Sequence, residues 1–351
     1  MRPLKALTET EARPLPCALK RLALLSLLTL SFGLSACTNN QSPNANSGNQ
    51  SQSAQPQASP TQQAVAFDGG RAYEHVRKQV EFGPRPSGSA ELARTREYIV
   101  AELKSYGLTV TTDEWTATTP MGPRKMVNVT AELPGESTDI IMLSSHYDTK
   151  YYKEMRFVGA NDGGSSTGAV LELARVIAAN NRKPRFTYRF VFFDGEEALC
   201  KNWEDCKNPD GPDNTYGSRR YVSQLQSKGE AKLVRAMILL DMVGAANLEL
   251  GRDTEMSTPW LLDTIWQTAR ELGHAAQFVD RPEDVGGDDH EPFVRNGIDA
   301  VDIIQLSTYD YWHTEDDTLD KISPQSLKVV GDVVLASLPR IEQKLLSRKP
   351  A

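Results

Sequence analysis

Acidic residues and histidines follow the ends of several apolar segments, where the side chains of a buried sheet become free to do chemistry. Seven of them lie just after such a segment or in a loop between two elements: His146, Asp162, Glu196, Glu197, Asp241, Asp288 and His313. Imidazole nitrogen and carboxylate oxygen both ligate zinc, and a catalytic zinc site leaves one position open for water or substrate. We therefore predict a metal centre whose pool of ligands is His146, Asp162, Glu197, Asp241 and His313.

The consecutive acids Glu196 and Glu197 could take two different roles at a metal centre. One carboxylate can bind the metal while its neighbour exchanges protons, which works best when its surroundings raise its pKa toward neutrality. The alternative, a solvated turn, is disfavoured by the apolar segment before the pair and by Gly195. His146 and Asp148, two positions apart, suit a metal-bound imidazole whose other nitrogen is held by a carboxylate.

The elements that must position these residues alternate between strands and helices. Helices are predicted at 71–80, 90–106, 168–180, 260–272 and 324–346, and strands at 127–133, 140–144, 186–193 and 300–306. A further helix tail is predicted to run into a strand over 231–241. This alternation indicates a single α/β domain over residues 68–351 with a mostly parallel central sheet flanked by helices. In such sheets the active site lies beyond the carboxyl ends of the strands.

The amino-terminal segment has the features of an export signal. A basic stretch precedes an uncharged run of 15 residues, 22–36, which is shorter than the roughly 20 residues that span a bilayer. The run ends in Leu34-Ser35-Ala36-Cys37, which resembles the bacterial lipobox, so we predict a lipoprotein signal peptide at 1–36 and lipidation of Cys37. A plain secretory signal cleaved near Ala36 is the alternative. Residues 37–67 carry no charge and predict a disordered polar tether.

Composition excludes other classes of protein. Apolar residues form 39% of the chain and charged residues 24%, which does not fit a polytopic membrane protein. A net charge of −7 argues against nucleic-acid binding, which needs clustered basic residues. Four cysteines are too few for a disulfide scaffold. We expect a monomer anchored to the membrane of the cell envelope, and assign His75 and His274 to surface or helix-end positions.

The motifs together resemble the zinc-aminopeptidase superfamily. They are H-Y-D at 146–148, G-A-N-D at 159–162, D-G-E-E-A at 194–198, Asp241, and W-H-T at 312–314. Within it, the chain resembles the glutaminyl cyclases through T-P-M-G at 119–122, T-K at 149–150, Y-G-S-R at 216–219, L-L-D-M-V-G-A at 239–245 and D-D-H-E-P-F at 288–293. This resemblance extends from about residue 83 to the closing helix, and it implies a mixed, mostly parallel sheet.

The cyclase resemblance implies particular roles for the site residues. A single zinc would be held by Asp162, Glu197 and His313, and would polarise the γ-carbonyl of an amino-terminal glutamine. Glu196 would move the proton from the attacking α-amine to the departing ammonia, leaving a pyroglutamyl peptide. Asp241 and Asp288 would form a hydrogen-bonded pair of acids beside that base, and Trp312 would line the substrate pocket. The expected partners are peptide or protein N-termini.

The aminopeptidase resemblance implies two zinc ions instead. Asp162 would be shared between them, with His146 and Asp241 completing one site and Glu197 and His313 the other. Glu196 would then activate a bridging water. Every ligand that two zinc ions would require is present in the sequence, so the sequence is compatible with both activities.

A polar insert departs from both patterns. Residues 199–215 contain Cys200, Trp203 and Cys206. In the cyclases a tryptophan soon after the paired glutamates lines the pocket, and Trp203 is the candidate for that role. A disulfide between Cys200 and Cys206 would suit an exported protein, and two free thiols are the alternative. Gly287 and Asp302 stand where the animal cyclases carry polar or imidazole pocket residues.

Overall fold

The structure is a computed structural model that describes residues 64–180, 183–202, 205–206, 208 and 211–348. These residues belong to one compact unit. The predicted signal peptide, Cys37, most of the tether and Trp203 lie outside them. None of the helices in this part of the chain has the length and apolar character needed to cross a membrane.

One mixed sheet of six strands forms the centre of the domain, and a pair of short strands lies apart from it. The strands are β1 (Thr109–Ala117), β2 (Arg124–Leu133), β3 (Ile140–His146), β4 (Thr187–Phe193), β5 (Val234–Asp241), β6 (Leu250–Arg252), β7 (Phe278–Pro282) and β8 (Ala300–Ile304). The central sheet has the order β1-β2-β4-β3-β5-β8, and β6 pairs with β7. Strands β4, β3, β5 and β8 are parallel, whereas β1 and β2 are antiparallel additions at one edge. The predicted fold class is confirmed.

Seven helices flank the sheet in the described part of the chain. They are α1 (Gly69–Phe82), α2 (Ala90–Ser105), α3 (Gly164–Ala179), α4 (Tyr216–Ser227), α5 (Pro259–Glu271), α6 (Glu291–Arg295) and α7 (Pro324–Ser347). Several begin at side-chain caps, which satisfy backbone N–H groups that have no partner inside the helix. Asp68 accepts from the backbone N–H of Gly70 at 2.8 Å, and Ser89 accepts from that of Leu92 at 3.0 Å.

The parallel strands are buried on both faces, so alternate residues of a strand enter different cores. Ile141 and Leu143 of β3 pack with the larger core, which includes side chains of α1, α3, α5 and α7. Ile140 and Met142 pack on the opposite face against residues of α4 and α6. Helices on both faces fix the strands, and therefore fix the loops that leave their carboxyl ends.

The structure corrects two sequence-based expectations and adds elements that the sequence does not predict. Phe67 was assigned to the tether but is only 2% exposed and belongs to the larger core. The sequence predicts neither the strands β1, β6 and β7 nor the helices α4 and α6. His75 was assigned to a surface or helix-end position, whereas it is 5% exposed with its Nδ1 lying 2.6 Å from the Tyr98 hydroxyl.

Candidate active site

The carboxyl ends of the parallel strands deliver the predicted residues to one edge of the sheet. His146 is the last residue of β3 and Asp241 is the last residue of β5. Glu196 and Glu197 follow β4 within a turn in which Gly195 adopts φ 79°, a conformation that side-chain-bearing residues rarely take. Because these strands are neighbours in the sheet, residues separated by almost 100 positions meet at this edge.

Asp148 holds the turn that carries the two glutamates. Its Oδ1 accepts from the backbone N–H of Glu196 at 3.3 Å and its Oδ2 accepts from that of Glu197 at 3.4 Å. Asp148 Oδ1 also lies 3.6 Å from Nδ1 of His146. One buried carboxylate thus fixes the backbone of the glutamate pair and lies beside the imidazole of His146.

Two clusters of potential ligands share the carboxylate of Asp162. Its Oδ1 lies 3.3 Å from His146 Nε2, which is 3.2 Å from Asp241 Oδ1. Its Oδ2 lies 3.3 Å from His313 Nε2, which is 3.2 Å from Glu197 Oε1. In each cluster the three candidate ligand atoms lie within 4.8 Å of one another.

The chemistry of these clusters fits zinc. Each offers one imidazole nitrogen and two carboxylate oxygens, the same donor types that catalytic zinc sites use. Among the described residues, the buried Oδ2 of Asp162 has no hydrogen-bond partner. Burying a carboxylate oxygen that accepts no hydrogen bond costs free energy unless a cation faces it. Both clusters therefore suit a zinc ion.

His313 is held in an unusual backbone conformation. Its φ is 57°, in the left-handed region that costs a side-chain-bearing residue about 1–3 kcal/mol. Two aromatic residues support it. The Trp312 ring stacks on the His313 ring with centroids 4.2 Å apart, and the Tyr152 hydroxyl donates to the His313 carbonyl at 3.4 Å. Such strain at a ligand position indicates that the imidazole direction is functionally constrained.

A cavity of about 280 Å³ opens onto the second of these clusters. Its polar wall includes Asp162, Glu196, Glu197, Asp241, Asp288 and His313. Its apolar wall includes Met242, Val285, Ile304, Leu306 and Trp312. Trp312 is 45% exposed, so its ring is available at the mouth of the cavity.

The surroundings shift the pKa values of the acids around the cavity in different directions. Burial and the neighbouring charge of Glu197 raise the pKa of Glu196 well above its ordinary value. Burial would also raise the pKa of Asp162, but the neighbouring imidazoles of His146 and His313 lower it overall. Burial and the charge of Asp241 raise the pKa of Asp288. Glu196 and Asp288 are therefore the carboxyls suited to carry protons, and Asp162 is suited to remain a carboxylate.

The structure brings most of the predicted site residues together. Glu196, Glu197, Asp162, Asp241, Asp288, His313 and Trp312 line one cavity, and His146 lies behind Asp162 and Asp241. Cys200 and Cys206 form a disulfide in the loop that supplies two further lining residues, Lys201 and Asn202. Trp203 and Cys37 lie outside the described residues, so their predicted roles stay predictions.

Lys150 is a residue of the site to which sequence reasoning gave no role. Its buried ammonium donates to the Ala198 carbonyl at 3.1 Å and lies 3.5 Å from Glu197 Oε2. The feature of the sequence that points to Lys150 is its position at the end of the 146–150 motif, shortly after a buried strand. Because Glu197 Oε1 faces His313 while Oε2 faces Lys150, Glu197 is arranged to bind a metal through one oxygen.

Comparison with known proteins agrees with this geometry. The pattern described as "Peptidase family M28" matches residues 128–338, more than half of the chain. The chain belongs to peptidase family M28. This M28 protein is also 30% identical over 280 residues to the glutaminyl-peptide cyclotransferase-like protein of Bos taurus, covering 72% of this chain and 71% of that protein.

Solved structures extend the comparison. The M28 chain matches the glutaminyl cyclase of an Acidobacteriales bacterium with a TM-score of 0.73 and 36% identity, over 82% of this chain and 99% of that one. It matches a Zn-dependent exopeptidase of Parabacteroides distasonis with a TM-score of 0.70 and 27% identity, over 78% and 98% respectively. The predicted resemblance to the glutaminyl cyclases and the wider zinc-exopeptidase fold is confirmed.

Proposed function

We propose that this M28 protein is a zinc-dependent glutaminyl-peptide cyclotransferase, which converts the N-terminal glutamine of peptides to pyroglutamate and releases ammonia. The observation that carries the proposal is the position of Glu196. This buried acid with a raised pKa lines the same cavity as the ligand set Asp162, Glu197 and His313. The similarity to proteins named as glutaminyl cyclases supports the same activity.

The reaction forms one bond and breaks another within a single residue. The α-nitrogen of the glutamine bonds to its side-chain δ-carbon, the bond from that carbon to the amide nitrogen breaks, and one proton passes from the α-amine to the departing ammonia. Glu196 as a carboxylate accepts that proton and returns it to the leaving nitrogen. Its buried position keeps bulk water from competing for the proton.

The ligand set defines where the side-chain carbonyl of the glutamine would lie. Asp162, Glu197 and His313 would hold the zinc ion, which when bound supplies Lewis acidity toward a carbonyl oxygen. Lys150 offsets the charge of the second oxygen of Glu197 and keeps that side chain in place. The apolar wall and Trp312 would enclose the methylenes of the glutamine side chain, leaving the rest of the peptide outside the cavity.

Product analysis tests the proposed activity. The purified protein is incubated with a peptide that begins with glutamine, and ammonia, free amino acids and peptide mass are measured. A mass loss of one ammonia with a blocked N-terminus is the expected result. Release of free glutamine without ammonia would contradict the cyclase assignment. The same peptide beginning with asparagine is the control, since its side chain is one methylene too short to form the five-membered ring.

Aminopeptidase activity is the second candidate, and one observation favours it. His146, Asp162 and Asp241 form a ligand cluster as complete as that of Asp162, Glu197 and His313. Occupation of both clusters would suit a two-metal hydrolase in which Glu196 activates water. Release of N-terminal residues from peptides of varied sequence, together with two tightly bound zinc ions per chain, would establish that activity instead.

We also propose that the catalytic domain acts outside the cytoplasm, as a monomer anchored to a membrane of the cell envelope through lipidated Cys37. The proposal is supported by the basic and apolar character of residues 1–36 and by the uncharged segment that follows. Metabolic labelling with a radioactive fatty acid tests it. Label is expected on the full-length protein and not on a Cys37→Ser variant, and label on both would contradict the anchor.

A further inference from the structure

Asp317 binds the backbone that carries Asp162, although sequence reasoning gave this acid no role. Its Oδ1 accepts from the Asn161 N–H at 2.8 Å, and its Oδ2 accepts from the Asp162 N–H at 3.1 Å. The Tyr309 hydroxyl donates to Oδ1 at 2.6 Å. The side chain is completely buried.

Asp317 belongs to the same loop as His313, four residues further along. The backbone carbonyl of Asp317 also accepts from the Ala160 N–H at 3.2 Å. One residue therefore joins the loop of one ligand, His313, to the loop of another, Asp162.

The opposite side of the Asp162 loop is bound by Arg85. The buried guanidinium donates to the carbonyls of Val158 at 2.5 Å and Gly159 at 2.9 Å, and reaches that of Asp162 at 3.4 Å. The carboxylate of Asp317 thus accepts from the N–H groups of the loop, and the guanidinium of Arg85 donates to its carbonyls. The loop has little freedom to adjust, so the direction of the Asp162 carboxylate depends on both residues.

We propose that Asp317 is a positioning residue that sets the separation of Asp162 and His313 and thereby the affinity of their cluster for zinc. This inference rests on the proposed zinc site. Carboxylates that orient metal ligands typically contribute about 10- to 100-fold in metal affinity. Asp317 does so through two backbone N–H groups and a shared loop, and it does not touch the reacting atoms.

Asp317→Asn tests the proposal in the full-length protein. An asparagine has one acceptor oxygen, so its amide group would face either the Asn161 N–H or the Asp162 N–H, and two donors cannot pair. Zinc affinity is measured by competition with a chromophoric chelator, and the melting temperature is measured on the same samples. We expect zinc affinity to fall about 10- to 100-fold. The matched control is Asp316→Asn, which changes the neighbouring exposed acid in the same way and should leave affinity unchanged.

A lower melting temperature with unchanged zinc affinity would overturn the proposal, because it would show that Asp317 only supports the fold. If Asp317→Asn does not fold, Tyr309→Phe decides, since it removes one donor and leaves the backbone bonds. We expect that variant to weaken zinc binding about threefold or more, and unchanged affinity would overturn the proposal. If the zinc-loaded wild-type protein makes no pyroglutamate but Asp317→Asn still binds zinc more weakly than the wild type, the proposed cyclase function is refuted and the role of Asp317 stands.

Discussion

Glu196 and Glu197 are consecutive residues, yet their carboxylates have different surroundings in one cavity. Glu197 Oε1 lies 3.2 Å from His313 Nε2 and its Oε2 lies 3.5 Å from Lys150, so one oxygen faces an imidazole and the other an ammonium group. Burial and the charges of Glu197 and Asp288 raise the pKa of Glu196, against the opposing effect of His146. The difference assigns metal binding to Glu197 and proton transfer to Glu196.

Exchanging each glutamate for glutamine separates these two roles. Glu196→Gln should lower kcat at least about 100-fold, because general acid–base catalysis contributes roughly that much or more, while zinc content stays at the wild-type level. Glu197→Gln should lose zinc as well as activity. Zinc is quantified by atomic emission after gel filtration. Loss of zinc from Glu196→Gln alone would mean that the two roles are reversed.

Removal of metal should abolish activity reversibly. After dialysis against a chelator, we expect one added zinc ion per chain to restore full cyclase activity. His146→Ala should then retain that ion, because His146 belongs to the other cluster. A wild-type protein that needs two ions per chain, and a His146→Ala variant that binds only one of them, would favour the two-metal hydrolase.

Trp312 should act on substrate binding more than on chemistry. Its ring is partly exposed at the cavity mouth, so Trp312→Ala should raise KM about tenfold, as expected for loss of a large aromatic contact, with a smaller change in kcat. Trp312→Phe should have a weaker effect because it keeps an aromatic ring. Zinc content must be measured in both variants, since the ring also stacks on His313. A fall in kcat with KM unchanged would contradict the role in binding.

His75 should make the fold sensitive to mild acid. Burial and the positive charges of Arg71 and Arg175 lower its pKa from 6.5 to about 4 in the folded protein. Between these values the unfolded chain binds more protons, so stability is full above pH 6.5 and falls as the pH drops toward 4. We expect a loss of about 2 kcal/mol between pH 7 and pH 5 from this residue.

Urea unfolding of the wild type and of His75→Gln at both pH values measures that loss. The variant should have a smaller difference between the two pH values than the wild type, by about the amount just given. His274→Gln, which changes a partly exposed histidine, is the control. Equal pH dependence in wild type and His75→Gln would contradict the assignment.

The sequence predicted the central strands and the ligand pool because both depend on strong local signals. Buried strands such as β3 are continuous apolar runs, and acids directly after them are conspicuous. Strand β1 was missed because most of its residues are exposed or half-buried, so its sequence lacks an apolar face. Asp317 was missed because it follows Glu315 and Asp316, and a run of three acids is typical of a solvated turn. In the structure, Asp317 differs from its two exposed neighbours because it is buried and accepts from the N–H groups of Asn161 and Asp162.

The shared carboxylate of Asp162 has a consequence for how the two clusters can be altered. Since each of its oxygens faces a different histidine, changes confined to His146 or Asp241 alter one cluster and leave the other intact. A variant at His146 can therefore lose one cluster and keep the other, so that the number of ions bound per chain is set separately at each side of a single aspartate.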